Sequence, residues 1–300
     1  MSEFYTTIRP TDRKLWLLER DDGWGASDAA PASGQSRFKS QYRAVAEKAK
    51  LIPVEDISND PNVRWGVKAE RNLAEFMQED HPDLVLATPQ VTYHSKKWPF
   101  AFANFDGLLH YPDGHLEIWE AKTANIRTAK DWGEAEDDIP REYICQAMHG
   151  MAVLTEAPCV RFKVSIAGPD VREYVIWRDD KLIETLMDIL GEAWDRVLRK
   201  DPPDPESAED VRLRWPTDSG AERAATQAEC DMVFNLKQAQ ELVASATKQE
   251  KYLKTQLKIG MGALSALTVG GKPVVTWRKG KDQPGYSVPP RSGSRKFLVK

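Results

Sequence analysis

Residues 102–122, FANFDGLLHYPDGHLEIWEAK, constrain this chain more than any other stretch. An apolar run to Leu109 meets a turn signal at Tyr111, Pro112, Asp113 and Gly114. A second run follows from Leu116 to Lys122, and the pattern predicts a β-hairpin. Alternate residues of a strand share a face, so Leu116, Ile118, Glu120 and Lys122 point one way. With the turn centred on Asp113, Asp106 falls opposite Glu120, with Cβ atoms roughly 5 Å apart. Two carboxylates so close repel unless something positive lies between them. A hard divalent cation such as Mg²⁺, which prefers oxygen ligands, meets that need. Lys122 then stands beside the ion and its water. An acid-x-Lys triplet alone means little, since Asp12-Arg13-Lys14 and Asp179-Asp180-Lys181 also fit it. Glu120-Ala121-Lys122 differs in having an acid on the partner strand.

Charge is unevenly spread. The net charge is −4, but residues 251–300 hold eleven Lys or Arg against Asp282 alone, leaving residues 1–250 at −14. A basic tail on an acidic body suits binding to phosphate or to a partner surface; a plain solvated tail fits equally well. Three scattered cysteines, Cys145, Cys159 and Cys230, suggest neither a disulfide framework nor a Cys-x-x-Cys metal site. A reducing, cytoplasmic setting is expected, with no signal peptide and no membrane span.

The first thirty residues offer Trp16, Arg20 and Ser27-Asp28, with Gly23 and Gly25 loosening the backbone between. Ser27 suits an ordinary helix N-cap, the reading local sequence favours, or an anion site at a helix start. Residues 36–51 read as a helix with Tyr42, Val45, Ala46 and Ala49 on one side. Asp60-Pro61 marks the start of another, running to about Glu79, with a stripe of Val63, Gly66, Val67, Glu70, Ala74 and Met77. Glu70 is an acid on a face expected to be apolar, and burying it alone is costly. Two roles fit: an ion pair with an arginine, or a place in a metal or active site. Residues 84–93 predict a strand, and residues 125–137 a helix or loop over the site. A helix from near Pro140 to Leu154 aligns Tyr143, Gln146 and Gly150. Residues 160–167 and 171–178 predict a second hairpin. An amphipathic helix spanning Leu182 to Leu198 should close the core by packing on the sheet. The domains are thus a core at 1–200, a linker at 201–221 and an extension at 222–300. The extension reads as a long helix or helical pair followed by short basic strands at 266–269, 274–278 and 296–299.

Five motifs in order resemble the phage lambda exonuclease and YqaJ-type viral recombinase family, a branch of the PD-(D/E)xK nucleases. They are Trp16-Leu-Leu-Glu-Arg20 with Ser27-Asp28, Trp65-Gly66-Val-Lys-Ala-Glu70, Asp106-Gly107, Glu120-Ala121-Lys122, and Tyr143-Ile-Cys-Gln146. The resemblance covers roughly residues 13–198. It implies an α/β, restriction-endonuclease-like core with a central mixed sheet flanked by helices, to which this chain adds a helical and small β extension. A relative branch with a four-cysteine iron–sulfur cluster is disfavoured, because the cysteines are too few and wrongly spaced.

The resemblance further implies Mg²⁺-dependent hydrolysis of linear duplex DNA, with Mn²⁺ as a substitute. Asp106, Glu120 and the Ala121 carbonyl would hold the main metal, and Glu70 a second metal or its waters. Lys122 would act on the attacking water or the charge at phosphorus. Gln146 and Tyr143 would position water and phosphate. Arg20 and Ser27 would bind a 5′-phosphate, giving 5′→3′ resection and a 3′ tail for a single-strand annealing protein. A homo-oligomer, a trimer by resemblance, in a bacterial or phage-infected cell is the implied setting. An endonuclease of the same superfamily and a non-catalytic DNA-binding scaffold remain the alternatives.

Overall fold

The computed structural model describes residues 2–9 and 20–278. Trp16 and the strand expected at 296–299 lie outside them. The chain divides into two units, residues 1–215 and 216–300.

The first unit is built on a five-stranded sheet in the order β2-β5-β6-β7-β8. Its strands are β2 (Val85–Ala87), β5 (Gly107–His110), β6 (Leu116–Ala124), β7 (Cys159–Ile166) and β8 (Asp170–Trp177). Only β6 and β7 run parallel, so the sheet is mixed. A smaller antiparallel sheet joins β1 (Tyr5–Ile8), β3 (Thr92–Ser95) and β4 (Phe102–Ala103). The helices are α1 (Ala29–Ala32), α2 (Gln41–Lys48), α3 (Pro61–Asp80), α4 (Arg141–Val153), α5 (Asp180–Arg199) and α6 (Ala208–Arg214).

The hairpin forms in the expected register, with Gly107 paired to Trp119 and Leu109 to Glu117. Its first arm is shorter than the apolar run suggested. Phe102 and Ala103 pair instead with β3, and the chain crosses between sheets at Asn104, whose amide donates to Val91 O and Thr92 Oγ1. The strand expected at 84–93 likewise splits into β2 and β3, one in each sheet. Pro89, between them, has no N–H to give a ladder.

Alternation along β6 sorts the core. Ile118 faces one cluster with Phe105, Met148, Met151 and Phe162, under α4. Trp119 faces the other with Leu73, Met77, Leu84 and Leu109, under α3. Each such side chain, fully buried, contributes roughly 1.5–3 kcal/mol. Asp60 caps α3, its Oδ1 accepting from Asn62 N at 2.7 Å. The stripe on α3 is only half core: Leu73 and Met77 are buried, whereas Val67 is 69% exposed. The first two turns line a cleft, and a Cβ at Gly66 would lie 3.9 Å from Thr123 Oγ1 of β6.

Other boundaries shift for local reasons. α2 starts at Gln41, not at Ser36, because Ser36 and Ser40 turn their hydroxyls onto the N–H groups of Lys39 and Arg43. The stretch at 125–137 is loop with one 3₁₀ turn, Ala129–Asp131. α5 packs on α1, α2 and α4, an outer layer over helices and not the sheet cover expected. Residues 208–214, expected as linker, form α6; Asp210 is buried and accepts from Ser40 Oγ at 2.7 Å.

Among the described residues the second unit holds one helix, α7 (Gln227–Met261), and a hairpin of β9 (Ala266–Val269) and β10 (Lys272–Thr276). The last strand begins earlier than the expected Val274. Among the described residues no helix is long and apolar enough to cross a membrane.

Beneath α3 the sheet carries a charged cluster. Glu173 Oε1 accepts from Arg161 Nη1 at 2.6 Å, and its Oε2 from Lys163 Nζ at 3.1 Å and His81 Nε2 at 3.0 Å. Arg161 also holds buried Glu117 at 2.7 Å, and Lys163 pairs with Asp80. Burial opposes the Glu173 charge, but His81, Arg161 and Lys163 outweigh it and pull its pKa down. A carboxyl held low contributes stability above the ordinary range near pH 4.5 and loses it as acid titrates the folded state. Glu173→Gln should therefore cost about 2–3 kcal/mol at pH 7, with the gap to wild type closing as pH falls below 4. Urea unfolding across pH measures this; a gap that stays constant would exclude it.

Candidate active site

Glu70, Asp106, Lys122 and Tyr143 line one cleft, of about 460 Å³, with Asn62, Val63, Gly66, Val67 and Leu73 of α3 and Ala121 and Thr123 of β6. Each reaches it for a local reason. Phe105 sinks into the core, Gly107 opens β5, and Asp106 is left between them at the rim. A side chain at Gly107 would meet Leu86 Cδ1 at 2.5 Å and Trp119 Cε3 at 3.0 Å, so only glycine lets the strand begin so close. Asp106 Oδ2 accepts from Ala121 N at 3.0 Å, which fixes the acid against β6 one residue past its facing partner, Glu120.

Glu120 and Lys122 share a face of β6 as alternation requires, and the pair is buried. Lys122 Nζ donates to Glu120 Oε2 at 2.7 Å, and Gln146 Nε2 to the same oxygen at 2.6 Å. Gln146 and Tyr143 are i and i+3 on α4, which brings both over β6. Gly150, one turn on, lets α4 approach Phe105 and Ile118, where a Cβ would meet them at 3.3 and 3.6 Å.

The electrostatics are those of crowded acids. Burial, with Asp106 adding, pushes the Glu120 carboxyl up to about 7 against the pull of Lys122. Burial and then Asp106 raise Glu70 as well, again with Lys122 opposing. Burial works against the Lys122 ammonium, but Glu120 and Asp106 outweigh it and hold lysine protonated above its usual range. Of the two roles open to Glu70, no ion pair with an arginine holds it among the described residues; its electrostatic neighbours are Asp106 and Lys122.

No three His, Cys, Asp or Glu side chains among the described residues are placed to hold a metal ion by themselves. The donor set nonetheless fits a hard cation. Glu70 and Asp106 line the open cleft, buried Glu120 is bound to Lys122 beside them, and Mg²⁺ takes few protein ligands and completes its shell with water and substrate phosphate.

Two aromatic residues at this site carry no motif. The Lys122 ammonium lies 5.7 Å from the Tyr143 ring centre and 6.0 Å from that of Phe162. Behind Tyr143, buried Trp132 stacks at 5.1 Å. Trp132 sits on the loop after β6, pinned to β8 by Tyr174 Oη donating to Gly133 O at 2.9 Å and Val175 N to Glu136 O at 2.9 Å. Arg37 bridges Asp131 and Glu142, the residues just before the two stacked rings, at 2.5 and 3.1 Å. The one sequence signal was a lone tryptophan in a polar stretch.

Arg20 and Ser27 are not among the cleft-lining residues. Arg20 Nη2 lies 3.5 Å from Ser27 Oγ, and the 3₁₀ turn Ala26–Asp28 packs on α4, the helix that carries Tyr143 and Gln146. Ser27 is not a helix N-cap; Asp28 precedes α1 and accepts instead from Gly25 N at 3.1 Å. Burial opposes the charge of Asp28, but Lys48 and Arg20 keep its pKa low. The two glycines do not loosen this segment. A side chain at Gly23 would lie 2.3 Å from Phe100 O, and one at Gly25 3.1 Å from the Phe102 ring. They let the backbone seat against β4 and its approach.

A family model for the YqaJ-like viral recombinase domain matches residues 15–158. The chain is 28% identical over 287 residues to the uncharacterized protein YqaJ of Bacillus subtilis (strain 168), covering 90% of this chain and 88% of that one. Among solved structures it is similar to an alkaline exonuclease of Laribacter hongkongensis, with TM-score 0.50 and 20% identity over 63% of this chain and 94% of that chain. The same exonuclease in complex with dAMP gives TM-score 0.48 and 21% identity over 62% and 95%. The motif match from Arg20 to Gln146 falls within the stretch, residues 15–158, that is similar to the YqaJ-like viral recombinase domain, and the mixed sheet flanked by helices is the fold of the alkaline exonuclease.

Proposed function

We propose that the cleft is the active site of a divalent-metal-dependent DNA nuclease that resects linear duplexes 5′→3′. The observation that carries this is the gathering of Glu70, Asp106 and Glu120 around Lys122, where burial, with Asp106 adding, pushes the Glu70 and Glu120 carboxyls up against the pull of Lys122. Structural ion pairs are built to the opposite effect, as Glu173 shows. Asp106, Glu120 and the Ala121 carbonyl would hold the ion, with Glu70 supporting it or a second one. Mg²⁺ in that place would supply a Lewis acid for the phosphate and an activated water, and Mn²⁺ could replace it.

The chain's own groups supply the rest. The Lys122 ammonium, fixed between Glu120 and the rings of Tyr143 and Phe162, counters charge that builds on the phosphate oxygens. Gln146 donates to Glu120 Oε2, which holds that carboxylate in place, and would orient water. Tyr143, protonated throughout the neutral range because burial raises its pKa, offers a hydroxyl to the phosphate. Arg20 and Ser27 bind the 5′-phosphate of the strand being shortened. The 3′ strand left behind is the substrate of a single-strand annealing protein.

Digestion of a linear duplex labelled at either end, beside a closed circle and with or without Mg²⁺, tests the reading. Loss from 5′-phosphorylated ends with the circle spared is expected; cutting of the circle would make the protein an endonuclease. Lys122→Ala should lower turnover about 100-fold or more while leaving DNA affinity within about threefold. Near-normal turnover would remove Lys122 from the chemistry. Arg20→Ala should slow 5′-phosphorylated ends several-fold more than 5′-hydroxyl ends, and equal losses would mean that Arg20 does not read the phosphate.

A further inference from the structure

The helix α7 has 35 residues, about 52 Å of length, and Met261 in its last turn is its one buried residue. A helix this long is ordinarily held by packing of an apolar face. Such a face exists. Met232, Leu236, Ala239, Val243 and Ala246, then Leu253 and Leu257 beyond Glu250, follow one another in alternate steps of four and three. This is the a/d spacing of a coiled coil. Met232 and Val243 are 61% and 66% exposed, Leu253 and Leu257 51% and 43%.

Charge is divided along the same helix. Glu229, Asp231 and Glu241 outnumber Lys237 in the first half; Lys248, Lys251, Lys254 and Lys258 outnumber Glu250 in the second. Two parallel copies would lay like on like. Two antiparallel copies lay the acidic half of each on the basic half of the other. Antiparallel packing also sets each a position against a d position, and one register satisfies the whole stripe. Met232 meets Leu257, Leu236 meets Leu253, Ala239 meets Glu250, and Val243 meets Ala246. Large residues close both ends, and the Glu250 carboxylate has a small neighbour past which it can reach water. A slip of one heptad would set Met232 on Glu250 and leave Leu253 and Leu257 uncovered. The structure supplies a socket for the end layer: an open apolar groove of about 510 Å³ beside Leu253, Leu257 and Gly260, flanked by Leu267 of β9.

We propose that α7 pairs with α7 of a second copy of this chain as a two-stranded antiparallel coiled coil, with Met232 of the partner subunit seated in that groove. The inference stands apart from the nuclease reading, because no residue of the cleft enters it.

Light scattering on the full chain should give an even number of copies, two or six. Leu236→Glu with Leu253→Glu should weaken the pairing about 100-fold or more and halve the mass. Orientation is read in a Cys230→Ser background. Met232→Cys and Leu257→Cys chains, mixed and oxidised, should form an inter-chain disulfide, whereas neither should link to itself. A single chain or an odd number of copies would overturn the proposal. So would a mass indifferent to the two glutamates, as expected if the stripe is covered by its own chain, or self-linking of either cysteine variant, the mark of a parallel pair.

Discussion

The cost of holding several carboxylates in a place water only partly reaches shapes this molecule. Glu120 is almost fully buried on a central strand, Asp106 is fixed by a main-chain hydrogen bond across from it, and Glu70 looks in from a helix. Isolated charges in such a setting are costly, and they shift toward their neutral forms. A fold that only needed packing at these positions would have apolar side chains there. The surrounding structure instead spends three elements on presenting them: a glycine-started strand, a helix whose first turns line the cleft, and a second helix that places an amide and a phenol overhead. Lys122 is the cation that opposes the rise at both Glu70 and Glu120.

The other face of the same sheet shows the contrast. There Glu117 and Glu173 are met by Arg161, Lys163 and His81, and their pKa values fall. One sheet thus carries two acidic clusters with opposite shifts, separated by the alternation of β6 and β7. The cluster whose acids are lowered is matched within the chain. In the other cluster burial raises Glu70 and Glu120, with Lys122 opposing. This comparison distinguishes a structural ion network from a site more sharply than the presence of acids does.

Much of this was legible in the sequence because it depends on local rules. The turn at Pro112–Gly114 set the hairpin register, and a register set by a turn carries every side chain with it to the correct face. Asp60-Pro61 set the start of α3, and helical spacing put Gln146 beside Tyr143. What local rules could not give was destination. The apolar residues 102–109 look like one strand, yet they serve two sheets, because Asn104 finds partners distant in sequence. Val63 and Val67 look like core, yet they line the cleft. Trp132 stacks behind Tyr143 on a loop pinned to β8, and Phe162 comes beside Lys122 through the pairing of β6 with β7, contacts that no local spacing encodes. The fate of α5, stacked on helices and not on strands, is likewise a matter of which layer is already filled.

The Arg37 clip gives the cleft a mechanical asymmetry. One guanidinium ties together the residues preceding Trp132 and Tyr143, while β8 holds the loop from behind. That wall is a fixed jaw: its rings cannot part without breaking two ion pairs and a stack together. The opposite wall is the first turns of α3, where the first buried residue is Ala69. The two walls thus differ in how they are held, one by ion pairs and a ring stack, the other by a helix whose burial begins only in its third turn.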